Sequence, residues 1–238
     1  MKPTIVLYTH TDVKDIWPIF FGQTDKYLSN YKKIILVNKN DEDIPNNYET
    51  ILYDNSKNYI DRLLETLNQI NDQFIIFHHE DMFLYDEPDT DTINKLTDYI
   101  TNDKPFIRLM RGGGGVGQSH SELPFLKMMN NSIEYIFAIQ PTIWKTSKFI
   151  ELLEHSNGDT LWEFEANAQH TCRNRGIIGY YIDDNGLKRG KHHWDCKLYP
   201  YVATGISKGK WNKKEYPQEL GVLMSEYNIN AENRGTNE

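Results

Sequence analysis

In the first half of the chain, short apolar runs alternate with segments whose apolar residues recur at helical spacing. The runs Thr4–Thr9, Lys33–Val37, Thr50–Tyr53, Phe74–His78 and Phe106–Met110 have the length and residue types of buried strands. Between them, Ile60, Leu63, Leu64, Leu67 and Ile70 fall on one face of a helix that Ser56 is placed to cap. Asp89 or Asp91 opens another helix, carrying Ile93, Leu96 and Ile100. Strand and helix in alternation predict an α/β layer structure with mostly parallel strands, and ligands of such sheets sit at the carboxyl ends of the strands.

The pattern changes at Arg111-Gly112-Gly113-Gly114-Gly115-Val116-Gly117, where the glycines predict a loop rather than a regular element. Beyond it, Tyr135–Ile139 reads as a strand, Thr146–His155 and Leu161–Arg175 as helices, and Ile177–Ile182 as a strand, with Gly176 closing the second helix. Pro217–Tyr227 reads as the last helix and Asn228–Glu238 as a polar, frayed tail. The 238 residues supply one substantial core and not two, so residues 1–227 are expected to form a single domain followed by the tail.

Composition removes several function classes. The 26 lysines and arginines face 34 aspartates and glutamates, and a net charge of −8 argues against nucleic acid or a membrane surface as the main partner. Cys172 and Cys196 are the only cysteines, too few for a disulfide framework or a thiolate metal cluster, which points to a reducing compartment such as the cytoplasm. The first apolar run is too short for a signal peptide, and no stretch approaches the length of a membrane span.

The densest chemistry lies in Phe74-Ile75-Ile76-Phe77-His78-His79-Glu80-Asp81-Met82-Phe83-Leu84. An apolar strand delivers two imidazoles and two carboxylates to one turn, where unpaired charge is costly to bury. A solvated strand end or pairing with basic side chains accounts for Glu80 and Asp81 as well as a ligand does. A divalent cation is the other answer, since carboxylate oxygens suit Mg²⁺ or Mn²⁺, which keep water and bridge to a substrate diphosphate.

This strand resembles the acidic Asp-x-Asp-type motif of GT-A glycosyltransferases, with Glu80-Asp81 in place of Asp-x-Asp. The resemblance implies a single Rossmann-like GT-A domain, a mixed and mostly parallel sheet flanked by helices. It also implies a nucleotide-diphosphate sugar as donor, Mn²⁺ or Mg²⁺ as cofactor, and a glycan or other hydroxyl as acceptor. Asp81 would hold the metal, with Glu80 or His79 on the donor sugar or ribose. Leu161–Gly176 is similar to the acidic helix of inverting members, which would make Glu165, or else Glu163, the base that takes the acceptor proton. Ordinary charge complementarity at a helix N-terminus explains the same acids without catalysis.

Three further pieces follow from the resemblance. His192 or His193 would add a metal ligand from the C-terminal part, and Lys208 and Lys210 would meet the departing diphosphate. Thr9 and Asp12, just after the first strand, would contact the nucleotide, although Thr11 or Asp12 equally suits a helix cap. Trp144 and Trp162 are acceptor-wall candidates, because indole faces stack on sugar rings, and each is also a normal core residue. The loop at residues 112–117 would be a lid over the sugar. Gly205-x-x-Lys208-x-x-Trp211 also resembles the closing motif of retaining GT-A families. Two rivals remain: a nucleotidyltransferase, which usually carries a glycine-rich basic loop after its first strand, and a degenerate GT-A domain that binds a glycan or partner.

Overall fold

The computed structural model describes residues 1–237; Glu238 lies outside the described residues. In chain order the elements are β1 (Thr4–Tyr8), α1 (Trp17–Tyr27), β2 (Lys33–Val37), β3 (Glu49–Leu52), α2 (Tyr59–Leu67), β4 (Phe74–His79), α3 (Thr90–Leu96) and β5 (Phe106–Arg108). They continue with β6 (Gln118–Ser119), β7 (Leu126–Met128), β8 (Thr142–Lys145), α4 (Thr146–Glu154), α5 (Leu161–Arg175) and β9 (Tyr180–Ile182). Two small hairpins follow, β10 (Lys188–Arg189) with β11 (His193–Trp194) and β12 (Ile206–Ser207) with β13 (Lys210–Trp211), before α6 (Pro217–Glu226).

Nine strands form one sheet in the order β3-β2-β1-β4-β8-β5-β9-β7-β6. The first four are parallel, as the unbroken apolar runs require: β1, β2 and β4 are buried along their whole length, so both faces of the sheet are covered. β8 enters antiparallel between β4 and β5, and β7 runs antiparallel to β9, so the sheet is mixed but mostly parallel. In register, Leu7 and Tyr8 stand beside His78 and His79, which sets the ends of β1 and β4 side by side.

Several local expectations are corrected. Asn58, not Ser56, caps α2, its side chain accepting the Asp61 amide at 2.9 Å. The expected strand at Tyr135–Ile139 does not form. Tyr135 has φ of 54°, a left-handed conformation that breaks a strand, and the strand of that region is β8. As far as Asn237, the last described residue, the tail is not frayed. Trp211 N–H donates to Gly235 O at 3.0 Å, and Asn237 donates to Trp211 O at 2.8 Å and to Ser207 O at 2.7 Å, so the chain end is strapped onto β12 and β13. Asp89 does cap α3, and α5 has the expected limits with Gly176 at φ 68° as its C-terminal stop. Among the described residues, no helix is long and apolar enough to cross a membrane.

Candidate functional site

β4 ends at His79, and the chain turns there to place Glu80 and Asp81 on the floor of a cleft of about 660 Å³. The two histidines before them are structural. His78 is buried, with Nδ1 3.1 Å from Met82 O and Nε2 2.9 Å from the Tyr199 hydroxyl. His79 lies 2.9 Å from the Tyr59 hydroxyl and packs on that ring; it reaches the cleft only as part of its wall. Burial depresses both imidazoles, His78 to about 4 and His79 to about 3, so both are neutral near pH 7.

Glu80 and Asp81 both shift the opposite way from the two histidines. Burial raises the pKa of both, and for Glu80 the neighbouring Asp81 charge adds to the effect; Ile206 N–H and the Arg234 charge partly offset it for Asp81. The segment that follows β11 is laid against this turn. Leu84 pairs with Tyr201, Gly205 N–H donates to Asp81 O at 3.0 Å, and Ile206 N–H donates to Asp81 Oδ2 at 3.2 Å. Gly205 is required there, because a Cβ would stand 2.7 Å from Asp81 O and 3.1 Å from the Phe83 ring.

The hairpin of β12 and β13 turns on Lys208 and Gly209, both with positive φ (52° and 77°), the conformation of a two-residue type I′ turn. That turn brings Lys208 to the cleft, while Lys210, exposed on β13, does not line it. Arg234 from the strapped tail does. Opposite this side, α5 contributes Glu165 and the exposed Trp162, 75% accessible, to the same cleft. Glu165 Oε1 accepts Ile139 N–H at 2.8 Å. Burial raises its pKa, moderated by that N–H and by Arg108.

The helix sets the two glutamates in different surroundings. Glu163 sits at the third position of α5 in a capping box: its Oε2 accepts Thr160 N–H at 3.0 Å and Asp159 N–H at 2.9 Å, while Thr160 Oγ1 accepts Glu163 N–H at 3.3 Å. These bonds lower its pKa, and it does not line the cleft. Trp144 is likewise elsewhere: it is 2% exposed on β8, between Phe106 (centroids 4.4 Å apart) and Phe149 (4.9 Å), so it is a core residue.

After β1, Thr9 is 1% exposed, its hydroxyl accepts the Trp17 indole N–H at 2.9 Å and its side chain also bonds Glu80, so it supports the carboxylate turn and does not itself line the cleft. Asp12 is exposed and away from the cleft. The cap of the short turn at Thr11–Val13 is His10 rather than Thr11 or Asp12, its Nδ1 accepting Asp12 N–H at 3.1 Å. His192 and His193 line the cleft, but His193 Nε2 is 3.3 Å from Glu215 Oε2 and its ring stacks on Tyr216. Among the described residues, no three His, Cys, Asp or Glu side chains gather at metal-ligating spacing.

Sequence reasoning missed two cations of the site. Arg108 is 2% exposed yet lines the cleft, its guanidinium bonded to the carbonyls of Met110, Tyr135 and Gly112. An arginine inside the apolar run Phe106–Met110 was the available signal, since arginine is seldom buried without a purpose. It fixes the glycine loop: Gly112 and Gly113 line the cleft, and Gly113 N–H donates to His192 O at 2.6 Å. Gly113 has φ of 73°, and a Cβ there would meet Glu134 O at 2.6 Å. The loop is a wall joined to β11 through Gly112 and His193. Arg234, in a polar tail, carried no comparable signal.

No family model matches the sequence, and no curated protein does. Solved structures match by fold. Staphylococcus aureus TarS superposes over 95% of this chain and 39% of its own, with 16% identity and a TM-score of 0.50. Its segment 1–349, solved with UDP, covers 97% of this chain and 66% of its own, at 15% identity and a TM-score of 0.51. A cytidylyltransferase from Leptospira borgpetersenii serovar Hardjo-bovis covers 100% of both chains, at 13% identity and a TM-score of 0.51. The chain therefore spans 39% of the longer TarS structure and 66% of the shorter. What these likenesses establish is the fold, a GT-A-like, Rossmann-like arrangement.

Proposed function

We propose that the chain is a glycosyltransferase that moves a sugar from a nucleotide-diphosphate donor to an acceptor hydroxyl. The observation that carries this reading is one cleft lined by three kinds of group: the Glu80-Asp81 turn at the carboxyl end of β4, the cations Lys208 and Arg234, and Glu165 on α5. Carboxylates with cations serve a metal-bound diphosphate, and a separate carboxylate serves a proton transfer. The fold shared with the UDP-bound TarS segment supports a nucleoside diphosphate in such a cleft.

The residues fit a divalent cation of the oxygen-loving kind. Mg²⁺ and Mn²⁺ are commonly held by one or two carboxylates and completed by water and substrate phosphates, so a preformed cage of three protein ligands is not needed. Asp81 and Glu80 would supply the carboxylates; His193, engaged with Glu215, is dispensable. When bound, the cation would neutralise charge on the diphosphate leaving group.

This chain's own groups do the rest. Lys208 and Arg234 bind the diphosphate and stabilise its growing charge as the bond to the sugar breaks. Glu165, with one oxygen fixed by Ile139 N–H, takes the proton of the acceptor hydroxyl as that oxygen bonds to the anomeric carbon. Its raised pKa makes it a better base than a free carboxylate. Attack opposite the leaving group inverts the anomeric centre. Trp162, exposed at the rim, offers its ring to the acceptor sugar.

A nucleotidyltransferase is the second reading, favoured by the full mutual coverage with the Leptospira cytidylyltransferase. Against it, the turn straight after β1 has no glycine, lysine or arginine: Tyr8-Thr9-His10-Thr11-Asp12 folds into a tight turn with Thr11 held by the Asn38 side-chain amide. A thermal-shift screen of UDP-, GDP- and dTDP-sugars with Mn²⁺ tests the proposal. At least one donor should stabilise the protein, and Asp81→Ala should abolish the metal-dependent part. Stabilisation by none of them sinks the reading.

A further inference from the structure

The two ends of the chain meet at the rim of the cleft in one ion pair. Arg234 Nε donates to Asp15 Oδ2 at 2.9 Å and its Nη2 to Asp15 Oδ1 at 2.5 Å, a two-pronged contact between residues 219 apart in sequence. Asp15 belongs to the loop between β1 and α1, whose Val13 and Ile16 line the cleft although Asp15 itself does not. Arg234 does line it, with a side chain only 17% exposed, against 44% for Asp15.

The tail that carries Arg234 is no loose end. Its bonds from Trp211 to Gly235 and from Asn237 to Trp211 and Ser207 tie it to the hairpin that presents Lys208. The same segment rests on Asp81 through Gly205 and Ile206. Arg234 is therefore positioned by the structure that frames the carboxylate turn, and its guanidinium fork donates to the two oxygens of a carboxylate as it would to two oxygens of a phosphate.

We propose that Arg234 is a binding residue for the diphosphate of the substrate and that Asp15 is its placeholder, holding the guanidinium at the rim until the diphosphate takes it over. This rests on the cleft being a nucleotide-diphosphate site. A half-exposed ion pair is weak enough to be exchanged, whereas a diphosphate offers more charge and more acceptor oxygens to the same fork. Asp15 is thus a positioning residue that competes with the ligand for Arg234. Its removal should strengthen diphosphate binding, the reverse of what loss of a merely structural contact would do.

The test is calorimetric titration of UDP, GDP, CDP and dTDP, with the matching nucleosides as controls, into the whole chain with Mg²⁺. Asp15→Asn should tighten the bound nucleoside diphosphate by about 2- to 5-fold, and Arg234→Gln should weaken it by about 10- to 100-fold, with the nucleoside unaffected in both. Asp15→Glu should restore the starting affinity, and Asp15→Asn should add nothing on top of Arg234→Gln. Tight binding to the starting protein with Asp15→Asn unchanged or weaker overturns the exchange and leaves the site reading intact. A starting protein that binds none of the four diphosphates overturns both. Melting curves establish that each variant is folded.

Discussion

Glu163 and Glu165 are two residues apart on one helix, but Glu163 is tied into the helix cap and Glu165 lines the cleft, so on the proposed function replacing each in turn should separate stability from chemistry. Glu163→Ala removes the acceptor for two backbone N–H groups, those of Asp159 and Thr160, both 3.0 Å or less from its Oε2. Both donors are exposed and can turn to water, so the loss is that of a cap, about 1 kcal/mol and at most about 2. For a chain of this size that lowers Tm by roughly 2–8 °C. Glu165→Gln is nearly isosteric and keeps an oxygen to accept Ile139 N–H, while removing a charge that burial disfavours. Its Tm should hold or rise slightly, and transfer should fall by about 10²- to 10⁴-fold with donor binding kept. Melting curves and an initial-rate assay on the same preparations check both. Loss of activity in Glu163→Ala at unchanged Tm, or normal transfer by Glu165→Gln, would refute the division of roles.

Two other outcomes follow from the same geometry. Trp144→Ala should cost about 3–5 kcal/mol through the cavity it leaves against Phe106 and Phe149, whereas Trp162→Ala should stay within about 0.5 kcal/mol and raise KM for the acceptor; denaturant melts and acceptor titrations read these. His78, depressed to about 4 by burial, is neutral when folded and must take a proton on unfolding in acid. Its contribution is present above the ordinary histidine pKa and is lost as pH falls from about 6.5 toward 4, worth about 3 kcal/mol at full extent. The raised carboxyls of Glu80 and Asp81 contribute with the opposite sign, so the readout is the difference in pH slope between the starting protein and His78→Gln in urea melts. Equal slopes would contradict the assignment.

The parallel half of the sheet was legible because it is buried on both faces: β1, β2 and β4 spell continuous apolar runs that no solvent-facing element would carry. α5 was legible to the residue because its stops are chemical, Thr160 with Glu163 at one end and Gly176 at the other. The antiparallel half was harder. β8 is only four residues long and leads directly into α4, so its sequence reads as the approach to a helix, and the apolar run Tyr135–Ile139 beside it imitates a strand that the left-handed Tyr135 prevents. In the site, the carboxylate turn and Glu165 announced themselves by charge at element ends. Thr9 and Trp144 did not declare their burial, since a hydroxyl or an indole looks the same in sequence whether it meets a ligand or a neighbour. Arg234 was hidden because its place depends on backbone bonds made by a tail of ordinary polar composition.

The identity of the leaving group tests the central claim most directly. Phosphorus NMR of the protein with diamagnetic Mg²⁺, the stabilising nucleotide sugar and a hydroxyl acceptor should show free nucleoside diphosphate accumulating in step with glycosylated acceptor, and no such signal with Asp81→Ala. Pyrophosphate released from a nucleoside triphosphate and a sugar phosphate, with the nucleotide sugar left intact, would contradict it and make the chain a nucleotidyltransferase.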